Sequence, residues 1–375
     1  QTASPTFFST DMLWDIKTYV RGSDTNTVES QMTWDPAMQY QMKYGLPNPD
    51  GTIGNQLWLD YVQRKGYGDG PDITLPTINF NGEWLDNQVG SSLLNFRRVN
   101  QVHGDLGSFV NVSYGFANAC TSDNLPTESS NDMDCFKQSW TPEGKTSATS
   151  GWFKKYLVTK VEADPGVGKG AGDDGDPVMT TTYDYNGKPA WAFPNDPLTP
   201  DSDESWTDWR GYQQVEVHTG TRSNAASTYY WLYRGMDGDR TSKTDSSATR
   251  SVSVTDGQGT SHTDSAWLRG KVIETSQRDG AGNSHQRVFH DYWVHDTAVY
   301  DGLPDARFVR ETKTTTSTLV SSGWRDHVVE DQYDATSDTS AKFGLPLRTN
   351  DWGEVNVDDN RCTVYGRAYD TDYFP

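Results

Sequence analysis

What most constrains this chain is the placement of its turn residues. Tyr229-Tyr-Trp-Leu-Tyr233 is an unbroken run of aromatic and large apolar side chains that passes directly into Arg234-Gly-Met-Asp-Gly-Asp-Arg240. The run has the composition of a strand, and Asp237, Gly238 and Asp239 supply the turn that ends it. The same order of strand, Asp/Gly turn and strand continues through most of the chain. Val215 and Val217 alternate with Glu216 and His218 before Thr219-Gly220, and Val252 and Val254 alternate with serines before Asp256-Gly-Gln-Gly259. Arg278-Asp-Gly-Ala-Gly-Asn283 marks the next turn, and Phe308 to Thr318 alternates as a strand. Upstream, Val99 to Tyr114 reads as a hairpin turning at His103-Gly-Asp-Leu-Gly107, and Trp152 to Glu162 as one long strand. No segment sustains a helical apolar period beyond two turns. The pattern predicts an all-β fold, an extended antiparallel β-meander with little helix.

Composition agrees. Only 33% of the 375 residues are hydrophobic, yet 12% are aromatic, which supplies the apolar area that a disordered chain lacks. Such a balance suits sheets with one wet face better than a parallel core of continuous Val/Ile/Leu strands. The net charge of −20, from 52 acidic against 32 basic residues, repels nucleic acid and anionic lipid, and no basic patch opposes it. No apolar run approaches the roughly 20 residues of a spanning helix, so no membrane insertion is expected. The start at Gln1 reads as a processed product or an excised fragment.

Cys120 and Cys135 flank a Ser/Asn/Asp/Pro-rich loop, the kind a local disulfide staples, with a pair of buried thiols as the alternative. Cys362 is left over, and its position suggests a partner further downstream. Asp173, Asp174 and Asp176 lie in a glycine-rich stretch between Asp164 and Pro177 and are weak calcium candidates, because the twelve-residue loop with its terminal Glu is missing. Gly166-Val-Gly-Lys-Gly170 lacks the Ser/Thr and the helix of a phosphate loop and reads as a hairpin loop.

Enzyme signatures are weak. Asp237 and Asp239 could form a glycosidase-like acid pair, but two acids on a turn are equally what the turn itself requires. The seven histidines show no His-Glu-x-x-His pattern and read as structural or surface residues. No Gly-x-Ser-x-Gly elbow occurs. The expectation is a protein without catalysis and without a cofactor. Trp206, Trp209, Tyr212, Tyr230 and Trp231 could stack on sugar rings, which would make the chain a surface carbohydrate-binding or adhesion module. The opposing reading is that they fill a sheet face, since alternation sends about half of such a run inward.

Tyr183-Asp184 followed by Asn-Gly187, then Tyr333-Asp334 and Tyr369-Asp370, together with Gly-Leu-Pro at Gly45, Gly302 and Gly344, give an irregular repeat. With Leu57-Trp-Leu-Asp60, Leu75-Pro76 to Phe80, Cys120, Pro126, Cys135 and Trp140, this pattern resembles the YD or Rhs (rearrangement hotspot) repeats. It is most similar to the large secreted Rhs-repeat proteins of actinobacteria. Further carriers of the resemblance are Trp152-Phe153, Lys155-Tyr156, Trp206 to Trp209-Arg-Gly-Tyr212, Arg234 to Arg240, and Asp358-Asp359 to Arg361-Cys-Thr363. The resemblance implies a β-ribbon curling into a shell segment, related to the shells of Tc toxins and teneurins. It further implies a secreted or cell-surface setting, an effector enclosed or presented elsewhere, and the rest of the same protein or its cleaved fragments as partner. The Tyr-Asp unit is degenerate here, and the family's core-end sequence is absent. The expected organisation is a β-rich lead-in over 1–118, a cysteine loop with its following strand over 119–163, and a degenerate repeat array over 164–375.

Overall fold

The computed structural model describes residues 15–21, 26–37, 58–67, 71–91, 95–140, 146–166, 178–194, 196, 199–220, 225–298, 306–335, 344–355 and 357–366. Asp173, Asp174, Asp176, Gly45-Leu-Pro, Gly302-Leu-Pro and Tyr369-Asp370 lie outside them. The chain groups into two compact units, one of Gln1–Tyr183 with Phe193–Thr207, the other of Asp184–Ala192 with Asp208–Pro375. Among the described residues there is no α-helix, only short 3-10 turns at Glu128–Ser130 and Ala266–Leu268.

In the first unit the strands follow one another as an antiparallel meander. β1 (Asp15–Arg21), β2 (Asn26–Ala37) and β3 (Trp58–Gly66) pair in succession. β3 then pairs with both β4 (Ile73–Thr74) and β5 (Ile78–Asp86), and β6 (Asn95–His103) and β7 (Phe109–Gly115) continue the order. The turn after His103 closes with the Gly104 N–H bonded to the Ser108 carbonyl, as the sequence predicts. The chain then makes an excursion over 116–156, builds the hairpin β8 (Cys135–Trp140) with β9 (Thr149–Lys154), and returns as β10 (Leu157–Asp164) beside β7. β10 pairs with the start of β11 (Met179–Ala192).

The second unit repeats this plan. β12 (Asp208–Thr219) pairs with β13 (Ala226–Leu232), and an excursion over 233–271 follows, with its own small hairpin of β14 (Ser253–Thr255) and β15 (Ser261–Thr263). The chain returns as β16 (Val272–Arg278) beside β13. From there β17 (Ser284–Ala298), β18 (Ala306–Val320), β19 (Gly323–Tyr333), β20 (Pro346–Glu354) and β21 (Arg361–Val364) meander in order.

A buried aspartate fixes each excursion. Asp134 is fully buried, and its Oδ2 accepts the backbone N–H of Ala117 at 2.8 Å and of Asn118 at 2.7 Å, just where the chain leaves β7. Asp264 is also fully buried and accepts the N–H groups of Arg234 at 2.8 Å, Gly235 at 2.7 Å and Met236 at 3.2 Å, just where it leaves β13. Backbone donors that have run off the end of a ladder must find acceptors if they are buried, and one carboxylate serves several. Gly235 is required in this turn. Its φ is +74°, and a Cβ there would stand 2.9 Å from Arg210 Nη1 and 3.1 Å from the Ala266 Cα.

The excursions also supply the cores. In the first unit Cys120 and Cys135 form a disulfide and pack with Met133, Val89 and Trp152, so the expected staple is present. In the second, Val254 and Leu268 from the excursion cover Trp231 and Ile273 of the sheet, with Tyr229, Tyr292, Val294 and Val309 around them.

One expectation needs correction. Trp152 to Glu162 is not one strand. It breaks at Lys155-Tyr156, where the Lys155 N–H bonds the Asp134 carbonyl at 2.8 Å and the Tyr156 hydroxyl bonds the Asp86 carbonyl at 2.8 Å. Apolar alternation on both sides of the break conceals it. Tyr183-Asp-Tyr-Asn-Gly187, despite its turn residues, lies inside β11, which runs through it to Ala192.

Asp264→Ala is expected to leave three N–H donors without their acceptor and to lower stability by about 3 kcal/mol or more in urea denaturation. Reducing the Cys120–Cys135 bridge, whose ends are 15 residues apart, should cost about 3 kcal/mol, read as a lower urea midpoint with reductant present.

Candidate functional site

Of the five aromatic residues picked out as possible sugar platforms, three are buried. Trp206, in the first unit, packs edge-on against Phe193 with ring centroids 5.2 Å apart. In the second unit Tyr212 packs against Tyr185 at 5.2 Å and Trp209 at 6.0 Å, and Trp231 stacks with Tyr229 at 5.7 Å. Trp209 is half-buried between Trp191, 4.7 Å away, and Tyr212. Tyr230, half-buried on β13, alternates with them. The structure thus joins Trp209 to Tyr212 inside a packed aromatic cluster rather than an open platform.

The acids of the Arg234–Arg240 block serve the loop itself. Asp237 Oδ1 accepts the Val252 N–H at 2.9 Å, and Asp239 pairs with Arg250 at 3.0 Å. A more unusual pair stands nearby. Glu274 is fully buried and accepts the Gly257 N–H at 2.7 Å and the Gln258 amide at 3.1 Å. Burial pushes its carboxyl above the ordinary value, although those hydrogen bonds oppose the shift. Burial would also raise Asp256, but His262 and the N–H groups of Thr260 and Gln258 outweigh it and hold Asp256 below the ordinary value. Carboxylates pushed apart in this way can divide acid and base roles. Here the Trp231 ring and Gly257 close over Glu274: a Cβ on Gly257 would meet the indole at 2.7 Å and Glu274 Oε2 at 2.8 Å. The pair is part of the core under the β14–β15 turn.

A polar recess of about 420 Å³ opens over β18, β19 and β20. His327 Nε2 lies 2.6 Å from Asp351, Arg325 pairs with Glu354 at 3.0 Å, and the Glu354 N–H donates to Asp359 at 3.1 Å. The His327 hydrogen bond, then the Gly353 N–H, hold Asp351 below the ordinary carboxylate value. The recess can therefore hold a small polar molecule, but His327, Arg325, Asp351 and Glu354 in it are already paired with one another.

The third grouping is a His-carboxylate cluster in the second unit. His218 Nε2 stands 3.2 Å from Glu216 Oε1 and 3.3 Å from Asp184 Oδ2. One ligand atom from each of the three residues lies within 4.8 Å of the other two. Glu216 and His218 come from alternate positions of β12, and Asp184 from β11. Sequence reading placed His218 among the structural or surface histidines. The only hint was the alternation with Val215 and Val217, which puts Glu216 and His218 on one strand face. That Asp184 reaches them is a tertiary fact.

The fold and these sites define an all-β, disulfide-stapled protein of antiparallel meanders. The chain matches no protein-family model, and a search of curated proteins finds no match.

Glu274→Gln tests the reading of the buried acid. A carboxyl whose folded-state pKa is raised makes folding less favourable as pH rises above its unfolded value, near 4.5. The stability difference, variant minus wild type, should therefore shift in the variant's favour between pH 4 and pH 7, roughly the window above that value. Urea denaturation at both ends measures it, and a constant difference would reject the burial argument.

Proposed function

We propose that this chain is a non-catalytic wall segment of a secreted, repeat-built β-shell of the Rhs type, whose effector lies outside these residues. The observation that carries the reading is the plan shared by both units. Each is an antiparallel meander interrupted once by an excursion, and each excursion is anchored by a buried aspartate at the point of strand exit. Such a plan extends a sheet strand by strand and devotes its buried acids to backbone donors. In Arg234–Arg240, the most distinctive block of the resemblance, Asp237 likewise takes a backbone N–H, and Asp239 pairs with Arg250.

The setting fits secretion. A disulfide between buried cysteines persists in an oxidising compartment, and no helix among the described residues is long and apolar enough to cross a membrane. Partners follow from the same reading: the remainder of the same polypeptide or its cleaved pieces, with exposed Cys362 on β21 available for a covalent link.

The test is negative-stain microscopy of the native secreted protein, combined with denaturing mass analysis with and without reductant. A hollow particle, with a companion polypeptide resistant to protease until the particle is denatured, is the expected result. A chain that runs alone, encloses nothing and binds glycans through Trp209, with binding lost in Trp209→Ala, overturns it.

A further inference from the structure

We propose that Asp184, Glu216 and His218 form a site for a borderline first-row divalent cation, with Zn²⁺ as the representative ion. The site has no bearing on the shell reading and stands or falls separately.

The distances point to an ion. A cation held tetrahedrally by bonds of about 2.0–2.1 Å has ligand atoms roughly 3.3–3.4 Å apart. The observed separations from Nε2 are 3.2 Å to Glu216 and 3.3 Å to Asp184. A charge-assisted N–H···O bond would be shorter, at about 2.7–2.9 Å. One ring N–H shared between two carboxylates gives each only a long, bent bond. All three ligand atoms lie within 4.8 Å of one another, close enough for one ion to reach them together.

The donor set selects the metal class. One imidazole nitrogen and two carboxylate oxygens suit Zn²⁺ and its first-row neighbours. Calcium and magnesium call for six or more oxygen ligands, and imidazole is a poor partner for either. Side-chain exposure is 17% for His218 and 14% for Glu216 but 39% for Asp184, so the cluster opens to solvent on the Asp184 side and a water can complete the shell.

Residues behind the donors support the assignment. Tyr229 lies opposite Glu216 in the β12–β13 register, with its hydroxyl close to that carboxylate. The Arg278 guanidinium lies 3.8 Å above the Tyr229 ring and holds it in place. Metal-binding histidines usually donate their second nitrogen to an outer acceptor. His218 Nδ1 is buried without one, so the site should bind less tightly than a fully supported zinc site. Once bound, the ion ties β11 to β12.

Isothermal titration of the chelator-treated full chain with Zn²⁺ tests the proposal. One equivalent should bind with Kd on the order of micromolar, below the affinity of supported structural sites. Ca²⁺ should give no competing heat, and Co²⁺ should produce tetrahedral visible absorption. His218→Gln and Asp184→Asn should each weaken binding by at least about 10-fold, and Tyr229→Phe by about 10-fold. His327→Gln, which removes the other close His–Asp pair, should leave this binding unchanged. Absence of Zn²⁺ binding, or binding that survives both His218→Gln and Asp184→Asn, overturns the site. Circular dichroism checks the fold, and if His218→Gln unfolds, the more exposed Asp184→Asn decides.

Discussion

A sheet that is left and re-entered creates a specific difficulty: the last N–H groups of the departing strand point into the protein with no ladder partner. In both units a single aspartate, contributed from within the excursion, turns back and accepts them. Asp134 serves Ala117 and Asn118, and Asp264 serves Arg234, Gly235 and Met236. Each bond joins residues well separated in sequence, so one carboxylate fixes the exit and the return together. The return of β10 beside β7 and of β16 beside β13 depends on these closures, and so do the cores that the excursions deliver.

The sheets are held by an unusual mixture of groups. Aliphatic side chains are few, and arginines lie over aromatic rings in their place. Arg97 sits 4.5 Å above Trp58, Arg98 4.6 Å above Tyr156, Arg278 3.8 Å above Tyr229 and Arg287 4.1 Å above Trp324. Each contact covers an aromatic face while leaving the guanidinium partly wet, and each is worth on the order of 0.5–2 kcal/mol. This is how a chain with 33% hydrophobic residues can sustain long strands. The acidic excess is also partly consumed internally, by turns and strand exits, rather than being spread only over the surface.

The three polar groupings differ in what they leave open. Glu274 and Asp256 have divergent proton affinities but lie beneath Trp231 and the β14–β15 turn, so their effect falls on stability. The recess over β18–β20 is accessible, yet His327, Arg325 and Glu354 each already face an opposite charge. Asp184, Glu216 and His218 combine partial exposure with donors spaced for an ion.

Alternation and turn chemistry made the β class legible from sequence, because strand period and Asp/Gly turns are local properties. The hairpin at His103–Gly107, the strand from Phe308 and the turn after Arg278 appear where those signals place them. The Cys120–Cys135 staple was readable from its loop. Local patterns could not reveal that Trp152 to Glu162 is divided between two pairings, because the break is made by Asp134 and Asp86, which lie elsewhere in the chain. Nor could they separate buried from open aromatics, since alternation gives two faces without saying which one the excursion covers. The same limit hid the His218 cluster: two donors are two residues apart on one strand, but the third, Asp184, arrives only when β11 is laid beside them.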